Sequence, residues 1–139
     1  MTTRILVIGA TGMLGNAVFR HFGNLPGYSV HATARSEQAR RHFEASLSER
    51  LLTGVDANDI DSVISAIAAI KPDVVINAVG LIKQLQTAND PLHALPINSL
   101  FPHRLARICA AAGARLVHIS TDCVFDGKRG GYTEDDAPD

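Results

Sequence analysis

The sequence predicts an α/β fold, a doubly wound parallel sheet of about five strands with helices on both faces. Three observations carry that expectation. Short β-branched runs alternate with amphipathic stretches along the whole chain. The run at residues 73–79 has almost no polar side, as expected in the middle of a parallel sheet. The segment GATGMLG directly follows the first apolar run and directly opens the first amphipathic stretch. Right-handed crossovers join strands arranged in this way.

Residues 4–8 read as a buried strand, and Leu14, Ala17, Val18 and Phe22 then share one helical face. Residues 28–33 form the second strand. Ser36 caps a helix in which Ala39, Phe43 and Leu47 recur every four residues. Residues 50–55 form the third strand. Asn58 caps the next helix, whose stripe is Ile60, Val63, Ile64 and Ile67, and Pro72 ends it. Residues 73–79 are the fourth strand. Residues 83–95 are the least regular, a loop and then a short helix beginning at Asp90 and Pro91. Pro96 and Pro102 leave the start of the following helix open. Its stripe is Leu105, Ile108, Cys109 and Ala112, and Gly113 stops it. Residues 115–120 form the fifth strand.

A chain of 139 residues is one domain with enough apolar material for a core, at 46% hydrophobic and 19% charged. Its formal charge of −1 offers no footprint for nucleic acid or an acidic membrane face. No run approaches the ~20 apolar residues of a membrane-spanning helix. The opening ILVIGA is too short for a signal peptide. Cys109 and Cys123 form no CxxC, and the six histidines form no HxxxH pair. These features imply a reducing cytoplasm and no metal. Cys109, on an apolar helical face, reads as core.

Within GATGMLG, glycine permits a tight turn at Gly9, close approach of a pyrophosphate at Gly12, and close helix–strand packing at Gly15. Free N–H groups and the positive helix end complete a phosphate cradle, so Gly9, Thr11, Gly12, Met13, Leu14 and Gly15 are candidate cofactor-binding residues. The spacing is GxxGxxG rather than GxGxxG, and its position between strand and helix is what carries the reading. An NAD-specific site places an acid at the tip of the second strand, about 20 residues past the glycines. Here the tip is Thr33, Ala34 and Arg35, and the first acid is Glu37. Arg35 either faces a 2′-phosphate or is a solvated arginine at a helix start. The expected cofactor is NADP, with NAD as the alternative.

The segments GATGMLG, DVVINAVG and HISTDCVFDG followed by YTEDD resemble the extended short-chain dehydrogenase/reductase family with its Rossmann domain, in the branch of the dTDP-4-dehydrorhamnose reductases. The resemblance covers nearly the whole chain. It implies that Asp56 lies near the adenine, that Asn77, Ala78, Val79 and Gly80 line the cofactor, and that Asn98 braces the site. It also implies that Ser120 contacts the cofactor and that Thr121 belongs to the catalytic triad. Asp56 also suits a turn, Asn77 a strand-end hydrogen bond, Asn98 a helix cap and Thr121 a strand-end cap. The carboxyl tip of a strand, where Thr121 stands, faces the ligand crevice of such a fold. Cys123 stands where the rhamnose reductases typically have Tyr, which opens the question of substrate.

The family's chemistry uses a Tyr-x-x-x-Lys pair, with the tyrosine as general acid. This chain has two tyrosines, and the fourth residue after each is Ala32 and Asp136 respectively. The expected organisation is therefore one incomplete dinucleotide-binding domain over residues 1–139, ending before the catalytic helix and without the substrate domain. The resemblance implies the NADP(H)-binding portion of a reductase of nucleotide-linked 4-keto-deoxysugars. The alternatives are a fragment of a nucleotide-sugar epimerase or dehydratase, and a non-catalytic dinucleotide-binding regulatory subunit. The fifth strand, RLVHIS, lacks a proline or inward charge to blunt an edge, so a homodimer through that side is expected.

Overall fold

The computed structural model describes residues 2–81 and 89–138. The part of the irregular segment expected at residues 83–88 lies outside the described residues. Among the described residues five strands pair in parallel in the order β3-β2-β1-β4-β5. They are β1 (Thr3–Ile8), β2 (Tyr28–Thr33), β3 (Leu51–Leu52), β4 (Val74–Asn77) and β5 (Arg115–His118). The principal helices are α1 (Met13–Gly23), α3 (Ile60–Ile70) and α5 (Phe101–Ala112), with two single-turn helices, α2 (Ala45–Ser48) and α4 (Pro91–Ala94).

Alternation along each strand splits the core into two layers. Ile5, Val7, Val30, Ala32 and Ile76 pack with Phe19, Phe43 and Leu47 on one face. Leu6, Ile8 and Val75 pack with Val63, Ala66 and Ile67 of α3 and Phe101, Leu105 and Cys109 of α5 on the other. Leu6, Val7, Val30 and Val75 are fully buried, as expected for strands covered on both sides. Cys109 is core, and burial pushes its thiol pKa up.

Several boundaries differ from those the sequence predicts. The Ser36 helix is a 3₁₀ segment, Glu37–His42, followed by extended backbone at Phe43 and then α2. Ser36 does cap it, its hydroxyl accepting from Gln38 N–H at 3.2 Å. Ala39, Phe43 and Leu47 are all buried, so the four-residue spacing identified inward residues while misassigning the backbone between them. Phe43 leaves the helix to meet Phe19 edge-on at a centroid separation of 5.2 Å. β3 keeps only two ladder residues because the chain turns at Gly54, where φ is +75°. The cap of α3 is Asp59, not Asn58; its carboxylate accepts from Asp61 N–H and Ser62 N–H. Lys71 ends α3 in the left-handed region, just ahead of Pro72.

β4 starts one residue later than expected because Asp73 turns its carboxylate onto Arg4, accepting from the Arg4 N–H at 2.7 Å and its guanidinium at 3.2 Å. Those contacts, the backbone one foremost, hold the Asp73 pKa down. β4 and β5 both stop two residues before the expected ends, at Asn77 and His118, whose side chains bond to each other. The two prolines that obscured the next helix lie in one continuous helical run from Pro91 to Ala112. Around Pro96 the run widens into a π segment, Leu95–Leu100, after which Phe101 N–H bonds back to Pro96 C=O. A proline lacks the N–H of the ordinary ladder and crowds the preceding turn, and a widened turn relieves both.

Candidate nucleotide site

The carboxyl ends of β1, β2, β4 and β5 lie along one end of the sheet, the end at which doubly wound folds bind ligands. After β1 the chain turns at Gly9 with φ of +95°, a conformation that favours glycine. Gly9 N–H reaches Thr33 Oγ1 at 3.3 Å and Ala10 N–H reaches Thr33 C=O at 2.9 Å, which ties the loop to β2. A Cβ on Gly15 would lie 2.1 Å from the Gly9 carbonyl oxygen, so α1 can approach the loop this closely only with glycine there. A Cβ on Gly12 would meet nothing nearer than 3.6 Å, so the fold itself makes no such demand. Gly12 is the N-cap of α1 with no side-chain cap and no acid in the first turn. Thr11, Met13 and Leu14 stand at the mouth of this turn and are exposed, Met13 at 92%. The first-turn N–H groups of a helix lack intrahelical acceptors, which suits them to an anion.

Arg35, beyond the tip of β2, lines a hollow of about 230 Å³ with Thr11, Ser36, Gln38, Arg41 and His42. The polar lining brings the glycine loop and a group of basic residues to one place. Glu37, the first acid in sequence after the β2 tip, is engaged elsewhere: Thr53 Oγ1 and the Arg40 guanidinium donate to its two carboxylate oxygens. The Thr53 bond and then the Arg40 bond lower the Glu37 pKa. Arg41 and His42 were absent from the sequence reading. Their signal was the adjacent basic residues in ARRH at residues 39–42, a stretch in which the apolar spacing singles out only Ala39.

The turn after β4 is held at both ends. Asn77, 1% exposed, accepts from Val79 N–H through Oδ1 at 3.1 Å and presents Nδ2 to His118 Nδ1 at 3.1 Å. Asn98, projecting from the π segment, accepts from Leu81 N–H at 2.8 Å and donates to Leu81 C=O at 3.0 Å. Asn98 is thus no helix cap; it braces the turn beside Gly80. The turn abuts the glycine loop, since a Cβ on Gly9 would come within 2.8 Å of Val79 Cγ2 and 3.3 Å of the Ala78 carbonyl oxygen.

Ser120 and Thr121 are exposed just past β5, and Ile119 N–H bonds to Asn77 C=O at 3.3 Å, setting them beside the β4 tip. Thr121 Oγ1 accepts from Cys123 N–H at 3.1 Å and so starts the short 3₁₀ turn Asp122–Val124. Asp56 is held in its own turn. Its Oδ1 accepts from Asn58 N–H at 2.9 Å and its N–H donates to Ser62 Oγ at 3.0 Å.

A larger hollow of about 420 Å³ involves Asp126, Lys128, Arg129, Tyr132 and Asp136. Its charges are used within the loop. Lys128 pairs with Asp126 and Arg129 with Asp136, each at 2.6 Å, and Tyr132 donates to Asp126 at 2.9 Å. Size alone therefore does not make it the better candidate, and the smaller hollow beside the glycine loop has the chemistry of an anion site. Among the described residues no helix is long and apolar enough to cross a membrane.

Comparison with known proteins agrees with this architecture. The methionine adenosyltransferase 2 subunit beta of Rattus norvegicus is 33% identical over 135 residues, 97% of this chain and 37% of that protein. A dTDP-4-dehydrorhamnose reductase of Streptomyces griseus is 32% identical over 135 residues, 97% of this chain and 38% of its own length. A solved dTDP-4-dehydrorhamnose reductase of Bacillus anthracis, in complex with NADP, superposes with a TM-score of 0.74 at 28% identity, covering 99% of this chain and 43% of that one. The chain thus spans well under half the length of these relatives. The RmlD substrate binding domain model matches residues 3–139, and with a five-stranded dinucleotide-type sheet beneath that match, the chain belongs to the RmlD substrate-binding-domain family.

Proposed function

We propose that this chain is the NADP(H)-binding portion of a reductase acting on a nucleotide-linked 4-keto-deoxysugar. The observation that carries the reading is the basic hollow formed by Thr11, Arg35, Ser36, Gln38, Arg41 and His42 beside a glycine loop with an uncapped helix end. The backbone of Gly9, Thr11, Gly12, Met13, Leu14 and Gly15 would hold the pyrophosphate. Arg35 would hold the 2′-phosphate, a role that an acid at the same place would oppose. Asp56 would approach the adenine through the carboxylate oxygen its turn leaves over, and residues 77–80 and Ser120 would line the nicotinamide side. Thr121 would hydrogen-bond the sugar carbonyl. When bound, NADPH supplies the hydride; the protein supplies orientation and electrostatics.

Calorimetry with both nucleotides tests the reading. NADP(H) is expected to bind more tightly than NAD(H), and equal or reversed affinities would overturn it. The 139 residues contain no Tyr-x-x-x-Lys, and a positioned proton donor typically contributes about 10²–10⁴-fold. This chain alone is therefore expected to turn over no NADPH with a 4-keto sugar nucleotide.

A second reading is a dinucleotide-binding subunit of an enzyme complex, favoured by the similarity to the methionine adenosyltransferase β subunits. A stable complex with a methionine adenosyltransferase in sedimentation would support it. Self-association is the further expectation, because β5 is the terminal strand of the described sheet and Leu116 and Val117 are only half-buried.

A further inference from the structure

We propose that His118 is a positioning residue of the nucleotide site, acting through the Asn77 carboxamide to hold residues 77–81 in one shape. The proposal rests on the nucleotide-binding reading above.

The Asn77 amide has one workable orientation. Its Oδ1 accepts from Val79 N–H at 3.1 Å. Turned the other way, the amide would set its NH₂ against that N–H, donor against donor. The Nδ2 group must therefore face His118, and at 3.1 Å it donates to Nδ1. His118 Nδ1 is then an acceptor, so the neutral ring carries its proton on Nε2.

The pair joins the two strand ends that serve the site. Asn77 and His118 are direct register partners in β4 and β5. Asn77 leads into the turn that abuts Gly9, and His118 stands two residues before Ser120 and three before Thr121. Asn98 secures the far end of the same turn at Leu81, so His118 and Asn98 clamp it from opposite sides. A clamp at one end alone would let Ala78 and Val79 pivot against the glycine loop, where the turn lies too close to Gly9 to admit even a Cβ there.

Packing does not account for His118. The ring is exposed while its partner amide is 1% exposed, so what His118 contributes to Asn77 is an acceptor rather than bulk. Losing it would leave a buried donor without its acceptor, the costly direction for a hydrogen bond.

The test uses the isotope-labelled 139-residue chain, NMR and calorimetry with NADP(H). In the wild type, the His118 ring nitrogens should show the neutral ring protonated at Nε2. His118→Asn places an amide oxygen near the Nδ1 position, whereas His118→Leu keeps bulk without an acceptor. The Leu variant should shift the Val79, Gly80 and Leu81 amide resonances and weaken NADP(H) binding about fivefold, the scale of one net hydrogen bond. The Asn variant should leave those resonances in place and bind within about twofold of wild type. A ring protonated at Nδ1, or a Leu variant with unmoved turn amides and unchanged affinity, would overturn the proposal. If the wild type binds no nucleotide, the nucleotide reading fails, while the ring tautomer and the turn amides still decide whether His118 holds the turn.

Discussion

Gly12 and Gly15 belong to one motif, yet the structure assigns them opposite consequences on substitution by alanine. At Gly15 the new Cβ would lie 2.1 Å from the Gly9 carbonyl oxygen, 2.8 Å from its carbonyl carbon and 3.3 Å from Ala10 Cα. All three are backbone atoms, so no side chain can swing aside, and α1 must move off β1 or the Gly9 turn must distort. Overpacking of this kind costs typically about 1–3 kcal/mol. Clashes with backbone belong to the upper half of that range, about 2–3 kcal/mol, and alanine recovers about 1 kcal/mol through its helix propensity, which leaves Gly15→Ala destabilised by about 1–2 kcal/mol. At Gly12 the nearest atom would be 3.6 Å away and φ is −73°, so alanine fits the fold. Reduced freedom of the unfolded chain should make Gly12→Ala neutral or more stable by up to about 1 kcal/mol. Its methyl group, however, would project into the space that the proposed site gives to the pyrophosphate. Urea unfolding followed by circular dichroism, paired with NADP(H) calorimetry, separates the two effects. Gly15→Ala should lose stability, while Gly12→Ala should keep it and bind nucleotide at least tenfold more weakly, about 1.4 kcal/mol. A Gly15→Ala variant within about 0.5 kcal/mol of wild type would refute the packing argument. A Gly12→Ala variant with intact binding would refute the phosphate assignment.

Further consequences are open to measurement. Arg35→Ala should reduce the preference for NADP(H) over NAD(H) while changing NAD(H) affinity little, and calorimetry that finds both affinities reduced alike would contradict the 2′-phosphate role. Asn98→Ala removes two hydrogen bonds to Leu81 and should speed amide exchange at Leu81, with a stability loss of about 1–3 kcal/mol by denaturation. His31 has a buried Nδ1 without a hydrogen-bond partner among the described residues, and burial first, then the Arg50 charge, lowers its pKa from 6.5. Its unfolded form therefore binds the proton more readily, so this contribution is present above about pH 6.5 and is lost as pH falls below it. Replacing His31 with Gln should flatten the stability profile between pH 7 and pH 5 by urea titration; an unchanged slope would count against it.

Much of this protein was legible in its sequence because the dominant forces are periodic or local. Strands buried on both faces need continuous apolar runs, and the helices that cover them need apolar stripes. Both patterns stand in the text of the chain at β1, β4, α3 and α5. The glycine loop was legible because its position between strand and helix is itself a sequence feature. Tertiary structure decided the rest. Spacing showed that Ala39, Phe43 and Leu47 point inward, but only contact between Phe43 and Phe19 shows why the chain leaves the helix at Phe43. Arg41 and His42 join Arg35 and Thr11 because a 3₁₀ segment, not a regular helix, follows β2. The pairing of Asn77 with His118 spans 41 residues, and that of Asn98 with Leu81 spans 17. Hydrogen bonds between side chains and distant backbone leave no periodic trace, because they depend on which strands lie side by side. The sheet order brings β4 beside both β1 and β5, and that adjacency assembles the site.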